Sequence, residues 1–185
     1  GFSISKHKAN VKRLNSVSRP GDEKDALISF PTLSTPPLIA VKSLRGVKPG
    51  PVLTFHFRNW VADDDAESDD SQLSTGYNRK FVIGTRAFVL RTGLGITRDG
   101  SKAHVLVLEV DGVKQIVKQM PYFSGEMEII GSLLWAGDMD GDRKLDLYFD
   151  EFNEKGFTAT ELHLSTYAEN GKLVGLAADF GMPGC

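Results

Sequence analysis

The sequence contains almost no cysteine, since Cys185 is the only one among its 185 residues. A single thiol excludes an internal disulfide framework and a cysteine-based zinc site. We interpret Cys185 as an incidental terminal thiol, and the alternative is that it pairs with a cysteine removed by trimming or held by a partner. Long hydrophobic runs are also missing, so no segment approaches the roughly 18 apolar residues that a membrane-spanning helix requires.

An excess of charge of either sign is missing as well. The chain has 22 Lys and Arg residues against 24 Asp and Glu residues, which gives a formal net charge of −2 at pH 7. This balance excludes a general electrostatic attraction to nucleic acid or to an anionic membrane. The apolar content of 41% is ordinary for a globular protein, and the length is sufficient for a sizeable core.

Recognisable catalytic motifs are absent from the sequence. It has no GxSxG elbow, no HExxH pair, no Walker loop and no cysteine nucleophile with a plausible base. The segment 93–96 begins like a dinucleotide fingerprint, but no third glycine or helical pattern follows it. The sequence therefore predicts a protein that is not an enzyme. A hydrolase that uses paired carboxylates is the alternative.

Helical periodicity is not sustained anywhere, whereas strand-like runs alternate with turn signals. Asp99-Gly100, Asp111-Gly112 and Asn170-Gly171 are typical hairpin turns, and the last is expected to join strands at 159–167 and 173–180. We predict an all-β fold, either an antiparallel sandwich or a partly closed barrel. A propeller fragment is less favoured because no internal repeat is visible. A solvated basic arm, 1–24, is expected to precede one β-rich domain, 25–185.

Four carboxylates are concentrated in the segment 137–147. They occupy positions 1, 3, 5 and 9 of a loop whose fourth position is Gly141. At separations of about 5 Å each pair of such anions repels by roughly 1–4 kcal/mol, which a bound cation would relieve. Oxygen ligands without His or Cys favour Ca²⁺. An EF-hand is excluded because its glycine and glutamate positions hold Arg143 and Phe149.

Alternating apolar residues flank this segment on both sides, so the sequence predicts a strand before the loop and another strand after it. In this arrangement it resembles the DxDGDGxxDL calcium loop of FG-GAP/VCBS repeats, with Arg143 in place of the second glycine. A left-handed backbone at Arg143 would cost about 1 kcal/mol. Asp150, Glu151 and Glu154 are further candidates for the metal shell. The resemblance implies these ligands: the side chains of Asp138, Asp140, Asp142 and Asp146, and the backbone carbonyl of Lys144.

The last third of the chain also resembles a group of small exported bacterial proteins. The shared features are the segments 134–138, 162–165 and 171–174, together with a closing Gly-Cys pair. The resemblance implies an envelope or secreted location. The expected calcium affinity agrees with this location. Calcium sites of extracellular modules have dissociation constants of about 10⁻⁴–10⁻³ M, so they are occupied outside the cytoplasm and mostly empty inside it. We therefore predict a periplasmic or secreted protein.

An acidic block lies between residues 62 and 72 and contains little that a core could bury. A solvated loop is the simplest interpretation, and a docking surface for a basic protein is the functional one.

We predict a calcium-stabilised interaction protein, for example a periplasmic immunity protein that binds a secreted protein. The alternative is a glycan or cell-wall module that uses the aromatic residues Trp60, Tyr77, Tyr122 or Trp135. The predicted partner-binding residues are Asp63, Asp64, Asp65, Glu67, Asp69 and Asp70.

Overall fold

The computed structural model of the chain describes residues 7–11, 44–48, 50–55, 71–122, 129–152 and 158–182. In these ranges the backbone forms eleven strands and one short 3-10 turn, Ser165–Tyr167. None of the described elements is a helix long and apolar enough to cross a membrane. The strands are β1 (His7–Val11), β2 (Gly50–Thr54), β3 (Gln72–Ser74), β4 (Asn78–Ile83), β5 (Arg86–Ile96), β6 (Lys102–Val110), β7 (Val113–Pro121), β8 (Ile129–Asp138), β9 (Asp146–Phe152), β10 (Thr158–Leu164) and β11 (Gly175–Met182).

The strands form two antiparallel sheets. The larger sheet has the order β1-β2-β8-β9-β10-β11, and β3 also pairs with β8. The smaller sheet is a meander with the order β4-β5-β6-β7. This arrangement confirms the predicted all-β fold as an antiparallel sandwich, and the described strands do not close into a barrel.

The main core lies between the two sheets because each strand turns alternate side chains inward. On β4, for example, Phe81 and Ile83 are buried while Val82 between them is exposed. Burying one such side chain contributes about 1.5–3 kcal/mol. A second, smaller cluster contains Trp135, Tyr148, Leu162 and Leu164 from the larger sheet. The main cluster consists of Phe55, Leu73, Phe81, Ile83, Phe88, Leu90, Leu106, Leu108, Val110, Met120, Leu133, Ala136, Leu145, Leu147, Phe149 and Val174.

The predicted hairpin turns of the smaller sheet are confirmed. Asp111 and Gly112 join β6 to β7 with φ angles of 49° and 81°, the left-handed conformation that a tight primed turn requires. The segment 97–101 joins β5 to β6, and Gly100 there has a φ of 87°. The segment 93–96, which begins like a dinucleotide fingerprint, forms the end of β5.

The prediction for the end of the chain was partly wrong. The strand predicted at 159–167 ends at Leu164, and the next three residues form the 3-10 turn. The physical reason is that the Ser165 N–H donates to the Asp146 carboxylate at 2.8 Å, outside the β ladder. The turn at Asn170 and Gly171 does form, with φ angles of 51° and 75°, but β11 begins only at Gly175.

One strand lies within the region 1–24 that was predicted as a solvated basic arm. Residues His7–Val11 form β1 and pair with β2, with His7 opposite Thr54. An edge strand of this kind is held by backbone hydrogen bonds and does not need an apolar pattern, which is why composition alone did not reveal it. The domain boundary at residue 24 stays a prediction.

Polar side chains also connect the two sheets. Gln115 on β7 donates to the Val174 carbonyl at 2.9 Å and accepts from the Val174 N–H at 3.0 Å. Lys118, on the same strand, forms an ion pair with Glu161 on β10. Glu161 in turn contacts His163 Nε2 at 2.9 Å. Partly buried polar contacts of this kind favour one arrangement of the two sheets over others.

Candidate metal centre

The acidic loop lies where β8 ends and β9 begins. Gly137 and Asp146 are the last residues that pair between these two strands, and residues 139–145 connect the end of β8 to the start of β9. The predicted order of strand, loop and strand is therefore present in the fold. The larger sheet holds both ends of the loop, because β8 and β9 pair with each other and with β2 and β10 as outer neighbours.

The loop is shaped by its own acidic side chains. Asp140 Oδ1 accepts from the Asp142 N–H at 3.2 Å, and Asp142 Oδ1 accepts from the Lys144 N–H at 2.8 Å. Such contacts stabilise tight turns without β pairing. Gly141 and Arg143 have φ angles of 81° and 64°. Arg143 thus adopts the left-handed conformation at the position where the resemblance expects glycine.

Three of the aspartates converge. Asp138, Asp140 and Asp146 each offer a carboxylate oxygen, and these three atoms lie within 4.8 Å of one another. Asp146 is fully buried and Asp138 is almost so, while Asp140 is half-buried. The three side chains form a group that could hold a metal ion. All its ligand atoms are hard oxygens, which suits Ca²⁺ or another hard cation.

Each of the six carboxylate oxygens of this triad also accepts one hydrogen bond. An ionised carboxylate has about four lone-pair sites, so these contacts leave capacity on every carboxylate for a cation. Hydrogen bonds to the outer side of metal ligands hold them in position for the ion. The donors are the backbone N–H groups of Met139, Gly141, Asp142, Arg143 and Ser165 and the hydroxyl of Thr166, at distances between 2.7 and 3.2 Å.

The electrostatics of the triad are unfavourable without a cation. Burial raises the pKa of Asp146 to about 7, and the charges of Asp140 and Asp142 add to this effect, although two backbone hydrogen bonds oppose it. Burial likewise raises the pKa of Asp138, against the hydrogen bonds from Arg143 and Gly141. Within the described residues, no Lys or Arg forms an ion pair with a triad member.

Asp142 lies in a different environment from the triad. Its Oδ2 forms an ion pair with the Lys144 ammonium at 3.0 Å. Burial raises the pKa of Asp142, but the contacts with Lys144 and Ser165 outweigh that effect, and the net shift is downward. The triad that could hold a metal does not include Asp142. Asp142 and the Lys144 carbonyl as ligands therefore stay predictions.

Two residues of the 3-10 turn contact the site, and the sequence reasoning missed both. The Ser165 N–H donates to Asp146, and the Thr166 hydroxyl donates to Asp140 Oδ2 at 2.8 Å. They lie 19 and 26 residues from their acceptors along the chain. Only the pairing of β9 with β10 brings them to the loop, so no local sequence signal could have identified them.

The other acidic candidates near the loop have other roles or lie outside the described residues. The Asp150 carboxylate accepts a hydrogen bond from the Ser132 N–H on the neighbouring strand. Burial raises the pKa of Asp150 despite that contact. Glu151 belongs to β9, and its backbone pairs with Gly131 and Ala159. Glu154 lies outside the described residues.

The predicted partner-binding residues of the segment 63–70 lie outside the described residues, as do Trp60 and Cys185. Among the aromatic residues proposed for glycan binding, Trp135 is buried and donates from its indole nitrogen to Thr54 at 3.1 Å. Tyr77 packs against the main core. Tyr122 is the exposed one, and it stacks on His104 with ring centroids 5.3 Å apart. Trp135 is thus not an exposed glycan contact.

Comparisons with protein-family models, with curated proteins and with solved structures found no match to this chain. The likeness of the loop to FG-GAP/VCBS repeats therefore stays a prediction based on the segment 137–147.

Proposed function

We propose that this chain is a non-catalytic interaction domain whose acidic loop binds one structural Ca²⁺ ion. The observation that carries the proposal is the triad of Asp138, Asp140 and Asp146. Its carboxylates converge within 4.8 Å, and hydrogen bonds hold every one of their oxygens. Oxygen-only donors at a partly buried site fit Ca²⁺ better than metals that prefer nitrogen or sulfur.

A structural role suits the position of the triad. The three carboxylates come from the end of β8, the connecting loop and the start of β9. A divalent ion among them would offset their mutual repulsion and fasten the two central strands together at this end. The ion would then stabilise the folded state by mass action.

A non-catalytic role is supported by the other polar cluster of the fold. His163 and Glu161 form a His–carboxylate pair of the kind that enzymes use as a base. However, His163 is buried and its Nδ1 atom has no contact with solvent. A substrate proton could not reach this nitrogen in the folded structure, so the pair is better explained as part of the connection between the sheets.

The proposed location and partner come from the sequence. A site with the affinity of extracellular modules fills in the periplasm or outside the cell. The acidic segment 63–70 offers six negative charges to a basic protein, and an immunity protein that binds a secreted protein is one example of such a domain. The glycan alternative is less favoured because Trp135 is buried.

Calcium dependence of stability tests the metal site. At about 10 mM calcium, roughly 100 times a dissociation constant of about 10⁻⁴ M, the bound ion should add about 2.7 kcal/mol. For a chain of this size the melting temperature should rise by about 5–10 °C relative to EGTA. Asp146→Asn should abolish this response, because it removes the charge of the most buried ligand.

The matched control for this experiment is Asp179→Asn, which changes an exposed aspartate on β11. Its melting temperature should respond to calcium as the unmodified chain does. A flat calorimetric titration of the unmodified chain at millimolar calcium, with equal melting temperatures in calcium and EGTA, would contradict the proposed metal site.

The partner proposal has a separate test. Replacing the six acids of the segment 63–70 with Asn or Gln should abolish binding of a basic protein partner from the native organism and should leave binding to a neutral glycan array unchanged. Reversing charge elsewhere, for instance with Glu169→Lys, is the control. If the neutralised variant retains the protein partner, the acidic segment is not the docking surface.

A further inference from the structure

The 3-10 turn Ser165–Tyr167 borders the carboxylate triad, and it donates hydrogen bonds to two of the three aspartates. Of the six hydrogen-bond donors that hold the triad, the Ser165 N–H and the Thr166 hydroxyl come from this turn. The other four donors belong to the acidic loop itself. The centre is therefore built by two separate segments of the chain, and the turn is fixed against it at two adjacent residues.

The Ser165 side chain has an unexplained feature at this position. Ser165 is only 3% exposed, and its hydroxyl oxygen is buried without a hydrogen-bond partner among the described residues. The hydroxyl lies beside the Asp142 carboxylate without reaching hydrogen-bond geometry. A buried hydroxyl that makes no hydrogen bond costs about 1–3 kcal/mol, so a folded protein rarely retains one without a reason.

A bound cation would supply that reason. A serine hydroxyl has two lone pairs and is a hard oxygen donor, and Ca²⁺ takes six to eight oxygen ligands. The triad alone supplies three carboxylates, which leaves the coordination incomplete. The Ser165 N–H is held against Asp146 at 2.8 Å, and the Ser165 side chain acts on the carboxylate of Asp142 in the same loop.

We propose that Ser165 Oγ is a ligand of the cation and that the 3-10 turn closes the site that the acidic loop leaves open. This inference rests on the proposed calcium site. Thr166 has a different role, because its hydroxyl donates to Asp140 Oδ2 at 2.8 Å and thereby positions that ligand. The acidic loop and the turn together then define a site for a hard divalent cation.

The first test compares calcium affinity by calorimetric titration of the full chain and of Ser165→Ala. The variant should bind calcium about 10-fold or more weakly, which is the range expected for loss of a supporting group at a metal site. Its melting temperature in EGTA should equal or exceed that of the unmodified chain, because an unsatisfied buried hydroxyl has been removed. A purely structural serine would instead lower the melting temperature in EGTA.

Ser101→Ala, in the exposed turn between β5 and β6, is the matched control and should leave the affinity unchanged. If the unmodified chain binds no calcium, the proposed calcium site fails and this inference fails with it. If the unmodified chain binds calcium and Ser165→Ala binds it equally well, the calcium site stands and only the role of Ser165 is overturned.

A second variant covers the case in which Ser165→Ala does not fold. Ser165→Cys keeps the size of the side chain but replaces a hard oxygen with a soft sulfur, in a Cys185→Ser background that removes the other thiol. Because thiolate ligands favour Zn²⁺, the ratio of Zn²⁺ to Ca²⁺ affinity should rise at least about 10-fold relative to the background chain. An unchanged ratio would show that residue 165 does not touch the ion.

Discussion

Arg143 is the residue at which the loop departs from glycine, and the structure gives it a φ of 64°. Its N–H donates to Asp138 Oδ2 at 3.0 Å, so the left-handed conformation serves the geometry of the triad. A side chain in this conformation costs about 1 kcal/mol, which the surrounding contacts must offset. The strain that the sequence suggested at this position is therefore present in the fold.

The strain at Arg143 predicts that glycine is more stabilising than alanine at this position, the reverse of the usual order. Arg143→Gly should be more stable than Arg143→Ala by about 1 kcal/mol in urea unfolding with EGTA present, because only glycine adopts a positive φ without cost. Exposed Glu169 has no positive φ, so it serves as the control position. There the alanine variant should be more stable than the glycine variant by about 0.5–1 kcal/mol. A more stable Arg143→Ala would show that the loop has relaxed away from this conformation.

The spacing of the aspartates allowed part of the site to be predicted. Asp138, Asp140, Asp142 and Asp146 were expected to lie together, and the structure brings carboxylate oxygens of three of them, Asp138, Asp140 and Asp146, within 4.8 Å of one another. The contributions of Ser165 and Thr166 could not be predicted, because they depend on the register between β9 and β10. Register is set by side chains across the whole sheet, which a local pattern does not contain.

At the scale of elements, strand β8 is the centre of the larger sheet. Its carboxyl-terminal end pairs with β2, its amino-terminal half pairs with β3, and β9 pairs along its other edge. Gly137 of β8 is paired with Thr54 of β2. A side-chain carbon at this position would lie 2.0 Å from the Leu53 carbonyl oxygen and 2.5 Å from the Trp135 ring.

This close approach predicts that Gly137→Ala destabilises the protein by about 3 kcal/mol or more, because the added carbon meets backbone that cannot move without breaking the pairing. The melting temperature should fall by about 6–12 °C. Gly93→Ala on β5 is the matched control, since its nearest neighbour would lie at an ordinary 3.9 Å. Equal melting temperatures for the two variants would exclude a tight contact between β2 and β8.

The elements that the sequence predicted best were those with short-range signals. The turns at Asp111-Gly112 and Asn170-Gly171 formed because these residues accept positive φ angles. The 3-10 turn was predicted as strand because the alternation of Leu162 and Leu164 continues into residues with reasonable strand propensity. A tertiary contact, the hydrogen bond to Asp146, overrides that local preference.

At the scale of the whole molecule, a charged cluster joins the two sheets. Glu161 lies between Lys118 of the smaller sheet and His163 of its own strand. Burial raises the pKa of Glu161, but the hydrogen bonds from His163 and Lys118 outweigh it and lower the pKa to about 2. A lowered carboxyl pKa stabilises the fold above the ordinary value of 4.5, and this stabilisation is lost as the pH falls toward 2.

The cluster predicts a difference in stability between the unmodified chain and Glu161→Gln that depends on pH. Near pH 7 the variant should be less stable by about 1.5–3 kcal/mol, the range for hydrogen bonds to charged groups. The difference should shrink toward zero as the pH approaches about 2. Urea unfolding at several pH values measures it, with exposed Glu169→Gln as the control. A difference that stays constant down to low pH would contradict the pairing.

The composition of the molecule predicted its class but could not predict its sheet order. The alternation of apolar residues and the spacing of turns indicated an all-β fold, either an antiparallel sandwich or a partly closed barrel, and the structure confirms the sandwich. The pairing of β1 with β2 and of β2 with β8 joins segments that are distant in sequence. Such non-local pairings depend on how the complete chain packs, so no short segment of the sequence carries a signal that predicts them.

Thr166 links the acidic loop to a part of the chain far from it. Its hydroxyl donates to Asp140, while its carbonyl accepts from the Arg45 guanidinium at 2.9 Å, and Arg45 stacks over the neighbouring Tyr167 ring. The Arg45 N–H also donates to the Tyr167 hydroxyl at 2.8 Å. A cation that draws Asp140 inward would pull on this chain of contacts, so the amide resonance of residue 45 becomes a distant reporter of ion occupancy.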